Sequence, residues 1–239
     1  MILLFIFSIE LTTKIDSLNK LLDEQPELPI ILQLNKCYLQ QNEFYKSINL
    51  LKKFETKFLP EKPILMFNIG DTYLFAGDIP SAREQYLKLV SRYPRSDVAN
   101  DALERLYLIE ATRQDTLRLK KLAYAVCLFR TDQLDNAIDS LKGLLKTKVG
   151  AYAHYYSALI YKQKEDLPLA LGALEELNNF FPGHKIHNAA LLLADIHIQS
   201  DNKKAAQKIL ENLIVKNPNT IYAVRAREML KTLGSGLDF

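Results

Sequence analysis

The sequence predicts an all-α fold, an α-solenoid of helical hairpins with one extra helix near 96–112 and a C-terminal capping helix over 220–233. Three observations predict it. Apolar residues recur at helical spacing along nearly the whole chain, and no run of alternating β-branched residues stands between turn signals. A turn bearing Asp or Asn recurs, followed each time by a small residue. Prolines stand where helices begin or end, never where a helix interior is required.

The repeat reads Asn42-Glu43-Phe44-Tyr45-Lys46-Ser47, then Gly77-Asp78-Ile79-Pro80-Ser81-Ala82. It returns as Asp132-Gln133-Leu134-Asp135-Asn136-Ala137, Glu165-Asp166-Leu167-Pro168-Leu169-Ala170 and Ser200-Asp201-Asn202-Lys203-Lys204-Ala205. The small residue therefore falls at 47, 82, 137, 170 and 205, with spacings of 35, 55, 33 and 35. Nine residues earlier stand Tyr38, Tyr73, Leu128, Tyr161 and Ile196; four later stand Leu51, Tyr86, Leu141, Leu174 and Ile209. Twelve earlier, Gly70, Ala125 and Ala158 are small, whereas Asn35 and Leu193 are not. Two small positions let the helices of a hairpin approach closely, and the large ones fill the space beside the crossing.

Local signals agree. Asp78, Asp166 and Asp201 are placed to cap the second helix of their hairpins. Pro80 and Pro168 follow two residues after an aspartate, in a first turn, where a missing N–H costs little. Pro60, Pro94, Pro182 and Pro218 close second helices. The long spacing leaves about 20 extra residues, and Ala99, Ala102, Leu103, Leu106 and Ile109 mark them as one odd helix. Such a helix is expected to disturb regular stacking. Lys14 to Glu24 reads as the second helix of a partial leading repeat, and Ile221 to Leu233 as a cap ended by Gly234, with a frayed tail beyond. The whole is one helical-repeat domain, 1–239, with a partial repeat at 1–26 and repeats near 28–60, 62–94, 115–149, 151–183 and 185–218.

Composition narrows function. Basic residues number 31 against 28 acidic ones, spread along the chain, so no nucleic-acid footprint is indicated. Cys37 and Cys127 fall inside apolar helical patterns, as buried small hydrophobes do, and are too few for a disulfide framework. The apolar Met1-Ile2-Leu3-Leu4-Phe5-Ile6-Phe7 is too short to span a bilayer. It reads either as the end of a helix cut by the chain start or as the remnant of a signal segment. No other segment is apolar enough to span.

These repeats resemble the tetratricopeptide repeat family over nearly the whole chain, although the first aromatic position is never Trp. Tyr93-Pro94-Arg95-Ser96 with Ala99 and Ala102, and Asn217-Pro218-Asn219-Thr220-Ile221-Tyr222-Ala223, resemble junctions of bacterial envelope-type members. That likeness is compatible with either the cell envelope or the cytoplasm. The resemblance implies a protein-protein interaction scaffold that binds a protein or peptide segment in a concave helical groove. Its inward positions are the fifth, ninth, twelfth and thirteenth, with the small residue as twentieth. They map here onto Phe67, Asp71, Leu74 and Phe75, then Leu122, Val126, Phe129 and Arg130, then Tyr155, Leu159, Lys162 and Gln163. Phe67, Asp71, Phe75, Val126, Arg130, Tyr155, Leu159 and Lys162 are the expected partner contacts. The Lys and Asn pair by which chaperone-binding members hold a terminal carboxylate is missing. The matching pairs are Leu32 with Lys36, Phe67 with Asp71, and Leu122 with Val126. Two alternatives stand beside this reading: a sub-region of a larger solenoid with lateral contacts only, and an accessory subunit of an enzyme or envelope assembly.

No enzyme and no cofactor is expected. His184, His187 and His197 lack a supporting Cys or carboxylate spacing for metal. Cys127 has no histidine nearby in sequence to activate it. Gly-rich phosphate loops, nucleophile elbows and H-E-x-x-H are not present.

Overall fold

A computed structural model describes residues 2–235 and shows thirteen α-helices with no strand among them. Met1 and the tail beyond Ser235, expected to fray, lie outside the described residues. The chain divides into two compact units, one of residues 1–113 with 126–133, the other of residues 114–125 with 134–239.

In the first unit α1 (Ile2–Glu24) is a single helix through Lys14 rather than one beginning there. It packs on α2 (Leu28–Gln40), which pairs with α3 (Phe44–Glu55). Next come α4 (Lys62–Phe75) with α5 (Ile79–Arg92), and then α6 (Ala99–Ala111), the predicted odd helix, packed on α5. Leu18, Ile31, Leu34, Leu51, Phe54, Leu65 and Ile69 are among the side chains of a continuous apolar core. The helix α7 (Thr116–Arg130) belongs to both units, its last residues packing in the first. In the second unit follow α8 (Leu134–Lys142), α9 (Gly150–Gln163), α10 (Leu167–Phe180), α11 (His187–Gln199), α12 (Lys203–Lys216) and α13 (Ile221–Ser235). Two apolar clusters hold this unit, one centred on Ala158, Ala170 and Leu174, the other on Ala194, Leu210 and Ala226.

The hairpin turns are near copies of one another. Each has three residues, and the middle one has positive φ: Asn42, Gly77, Asp132, Glu165 and Asp201, at 54–76°. The residue after it donates its N–H back across the turn, from Glu43 to the Tyr38 carbonyl at 2.8 Å and from Asp78 to Tyr73 at 2.9 Å. Gln133 to Leu128, Asp166 to Tyr161 and Asn202 to His197 repeat the bond. This left-handed stop satisfies carbonyls that the helix end would otherwise leave open. Only Gly77 meets it without a Cβ penalty.

The turns also correct the phase of the last hairpin. Asp201 is its left-handed residue, and Asn202, not Asp201, caps α12 by accepting from the Ala205 N–H. Asp78 and Asp166 cap α5 and α10 as expected, accepting from Ser81 and Leu169 N–H. The buried small residue is accordingly Ala206, at 0% exposure, while Ala205 is half-buried. Counting back twelve from Ala206 reaches buried Ala194 in place of Leu193, so the last hairpin has both small residues. In the first hairpin the same two positions are polar, and Ser47 Oγ donates to Asn35 Oδ1 with both side chains buried.

Three second helices end alike too, but Pro60 does not close α3, which already ends at Glu55 with Thr56 at φ −86°. Tyr93, Phe181 and Asn217, each before a proline, leave the helix at φ near −131 to −136° and donate to Leu89, Leu177 and Leu213 carbonyls. Gly234 does not end α13, which runs on to Ser235; its φ is not positive, so no left-handed stop forms there.

Candidate functional site

The first unit contains a groove of about 440 Å³ lined by first helices. From α2 come Leu32, Asn35, Lys36 and Leu39, spaced so that they share one face. From α4 come Ile64, Phe67 and Asn68, and the rim is completed by Val98, Asp101 and Arg130. Asn35 and Asn68 are buried, with carboxamides that offer both donors and acceptors. Apolar side chains line the groove together with these carboxamides, and its charged residues are Lys36, Asp101 and Arg130.

The electrostatics centre on Asp71, which is 1% exposed. Its Oδ1 accepts from the Tyr86 hydroxyl at 2.6 Å and from Arg105 Nε at 3.0 Å. Its Oδ2 lies 3.6 Å from an Arg130 guanidinium nitrogen. Arg130 also donates to Asn68 Oδ1 at 2.9 Å, and Arg105 sits over the Phe67 ring, 5.8 Å from its centroid. At the rim Lys36 pairs with Asp132, and Gln40 Nε2 donates to the Thr131 carbonyl at 3.1 Å. Nearby Cys127 is inert, its thiol pushed up to about 12 mainly by burial, with Asp71 adding to the rise and Arg130 opposing it.

One segment of this unit matches a known family. Residues 65–96, which run from α4 through α5 to the bend before α6, match the family model described as Tetratricopeptide repeat. That segment is one tetratricopeptide repeat. No curated protein sequence matches the chain. Among solved structures it is similar to a tetratricopeptide repeat protein from Parabacteroides merdae ATCC 43184, at 15% identity and a TM-score of 0.44, covering 86% of this chain and 72% of that one. It is similar also to the TPR2AB domain of yeast Sti1 in complex with pHSP90, at 14% identity and a TM-score of 0.45, covering 96% and 94%. A third is MamA from Desulfovibrio magneticus RS-1, at 16% identity and a TM-score of 0.36, covering 78% and 92%.

In the tetratricopeptide frame the expected contact residues can now be placed. Phe67, Asp71 and Arg130 come together in the network just described, with Phe75 half-buried and Val126 buried in the same unit. Tyr155, Leu159 and Lys162 lie in the other unit. Tyr155 meets Tyr156 edge to face at 5.5 Å, Leu159 packs against the core, and Lys162 pairs with Asp195. Sequence reasoning missed Asn35, Asn68 and Arg105. The polar residue at a crossing position was the signal that could have found Asn35, whereas Arg105 lies on the odd helix, outside the repeat frame that singled out Asp71.

Among the described residues no group of three or more His, Cys, Asp or Glu is disposed to hold a metal ion. Among them, too, no helix is long and apolar enough to cross a membrane.

Proposed function

We propose that this protein is a non-catalytic scaffold whose first unit holds a segment of another protein in the groove between α2 and α4. Stacked helix hairpins offer concave faces lined by first helices, the surface on which such repeats bind protein segments. The observation that carries the reading is the pairing of a buried carboxamide floor, Asn35 and Asn68, with apolar walls and the cations Lys36 and Arg130. Carboxamides can read the backbone of an extended segment, and the walls can take its apolar side chains. Phe75, Tyr155, Leu159 and Lys162 are proposed as further contacts, the last three on a separate surface of the second unit.

A second reading, lateral contacts only, is favoured by one observation: Phe67, Asp71 and Val126 are already covered within their own unit. Site-specific photo-cross-linking separates the two. A cross-linker at Leu32 or Ile64 should capture a discrete partner from lysate, and Asn68→Ala with Lys36→Ala should abolish that capture while helicity is retained. A cross-linker at exposed Tyr45, outside the groove, should not capture it. Equal capture from Tyr45 would sink the groove.

A further inference from the structure

The second unit contains a cavity of about 210 Å³ between α8, α9 and α10, apart from the groove above. Its chemistry is set by His154, whose side chain is 3% exposed, and Glu176, whose side chain is 58% exposed. The Leu145 carbonyl accepts from one ring nitrogen, leaving the other, Nδ1, buried with no hydrogen-bond partner. That nitrogen faces Glu176 Oε2 at 3.4 Å. Burial outweighs both the Glu176 charge and the Leu145 bond and pushes the imidazole below its ordinary range, so at neutral pH Nδ1 is a lone-pair acceptor. Two acceptors therefore stand opposite each other, an arrangement completed by a group with several N–H donors and a positive charge. The ring cannot easily turn away, because Phe180 and Phe181 pack against it at 6.2 and 6.0 Å between centroids.

The remaining walls suit an aliphatic chain: Ile138, Leu145, Leu169 and Ala173 line the cavity. The chain's own ammonium at its edge, Lys142, is held by Asp139 at 2.7 Å. We propose that this cavity binds a primary ammonium group on a short aliphatic stem, its N–H bonds shared between His154 Nδ1 and the Glu176 carboxylate. The same chemistry belongs to a free alkylamine and to a lysine side chain of a partner protein.

The test is a titration of the full chain at pH 7.5, followed by the ring nitrogen resonances of His154. The probes are n-butylammonium chloride, Nα-acetyl-lysine N-methylamide and the uncharged n-butanol, at matched ionic strength. The expected result is a saturable shift at Nδ1 with the charged probes, midpoint on the order of millimolar for so small a ligand, and none with n-butanol. Glu176→Gln, at an exposed position, should weaken the midpoint about fivefold or more by removing the charged acceptor. A response to both charged probes assigns the site to amines in general, and a response to the blocked lysine alone assigns it to a peptide-borne side chain. No saturable shift, or equal midpoints for wild type and Glu176→Gln, overturns the assignment.

Discussion

The Tyr86 hydroxyl donates to Asp71 Oδ1 at 2.6 Å, from α5 back to α4. The bond exists because Gly70, the residue before Asp71, has no side chain: a Cβ there would stand 2.6 Å from the Tyr86 ring. The small residue at the hairpin crossing thus seats an aromatic ring, and the ring's hydroxyl satisfies one oxygen of a buried carboxylate. Arg105 from the odd helix donates to the same Oδ1, so packing of α6 and polarity of α4 are coupled. Oδ2 has no hydrogen-bond partner among the described residues and only the Arg130 charge 3.6 Å away.

Tyr86→Phe should cost about 1.5–3 kcal/mol, the usual worth of a hydrogen bond to a charged group. Asp71→Ala should cost more, about 3–5 kcal/mol, because it removes the carboxylate that pairs with the largely buried Arg105 charge. Urea denaturation with an unchanged slope reads both. Asp71→Ala costing less than Tyr86→Phe would show that Arg105 finds solvent and that the network is not buried in solution.

The left-handed turn residues predict opposite signs at two equivalent sites. Glu165 holds φ 62° with a side chain, whereas Gly77 holds φ 76° without one. A left-handed residue bearing Cβ costs about 1–2 kcal/mol, and glycine's extra freedom in the unfolded chain returns about 0.4–1 kcal/mol of that. Glu165→Gly should therefore stabilise by roughly 0.5–1 kcal/mol, and Gly77→Ala should destabilise by a similar amount or more. Denaturation midpoints moving in the same direction for both would contradict the turn geometry.

Most of the fold was legible because helical hairpins write the same rule many times: turn, cap, small residue, proline. Where the rule was satisfied twice over, legibility failed. Lys203-Lys204-Ala205-Ala206 offers two alanines, and Asp201-Asn202 offers two capping residues. Spacing from Ala170 chose Ala205, while the left-handed turn at Asp201 sets Ala206. The candidate site was less legible. Asp71 stood out within the repeat frame, yet its partner Arg105 lies 34 residues away on a helix that frame does not describe. The first hairpin was located, but not the nature of its crossing, which is built from Asn35 and Ser47, a hydrogen-bonded pair where its neighbours place Gly and Ala.

The phase of the last hairpin is open to a paired substitution. Ala206→Leu should cost about 1–3 kcal/mol by overpacking against α11, as Ala170→Leu should at the preceding crossing. Ala205→Leu, at a half-buried position, should change stability far less. Thermal or urea unfolding of the two single variants decides it: a larger loss at 205 than at 206 would restore the earlier phase.

Stability should also fall on mild acidification, and the sign follows from burial. His154, His184 and His187 all have their folded pKa pushed down, in each case chiefly by desolvation. Glu176 partly offsets this at His154, whereas at His184 the neighbouring His187, and at His187 the neighbouring Lys185, push further in the same direction. A lowered folded value means that the unfolded chain binds protons first. Stability is therefore complete above the ordinary imidazole value of about 6.5 and is lost as pH falls from there through the folded values. Urea midpoints compared at pH 7.5 and 5.5 should be lower at 5.5, beyond any change shared by a His154→Gln variant. That variant should show a shallower dependence, because one of the three neutral imidazoles is gone. An unchanged slope in His154→Gln would mean that this imidazole titrates alike in the folded and unfolded chain, and a steeper acid loss in the variant would mean that the folded ring is held protonated and donates to Glu176.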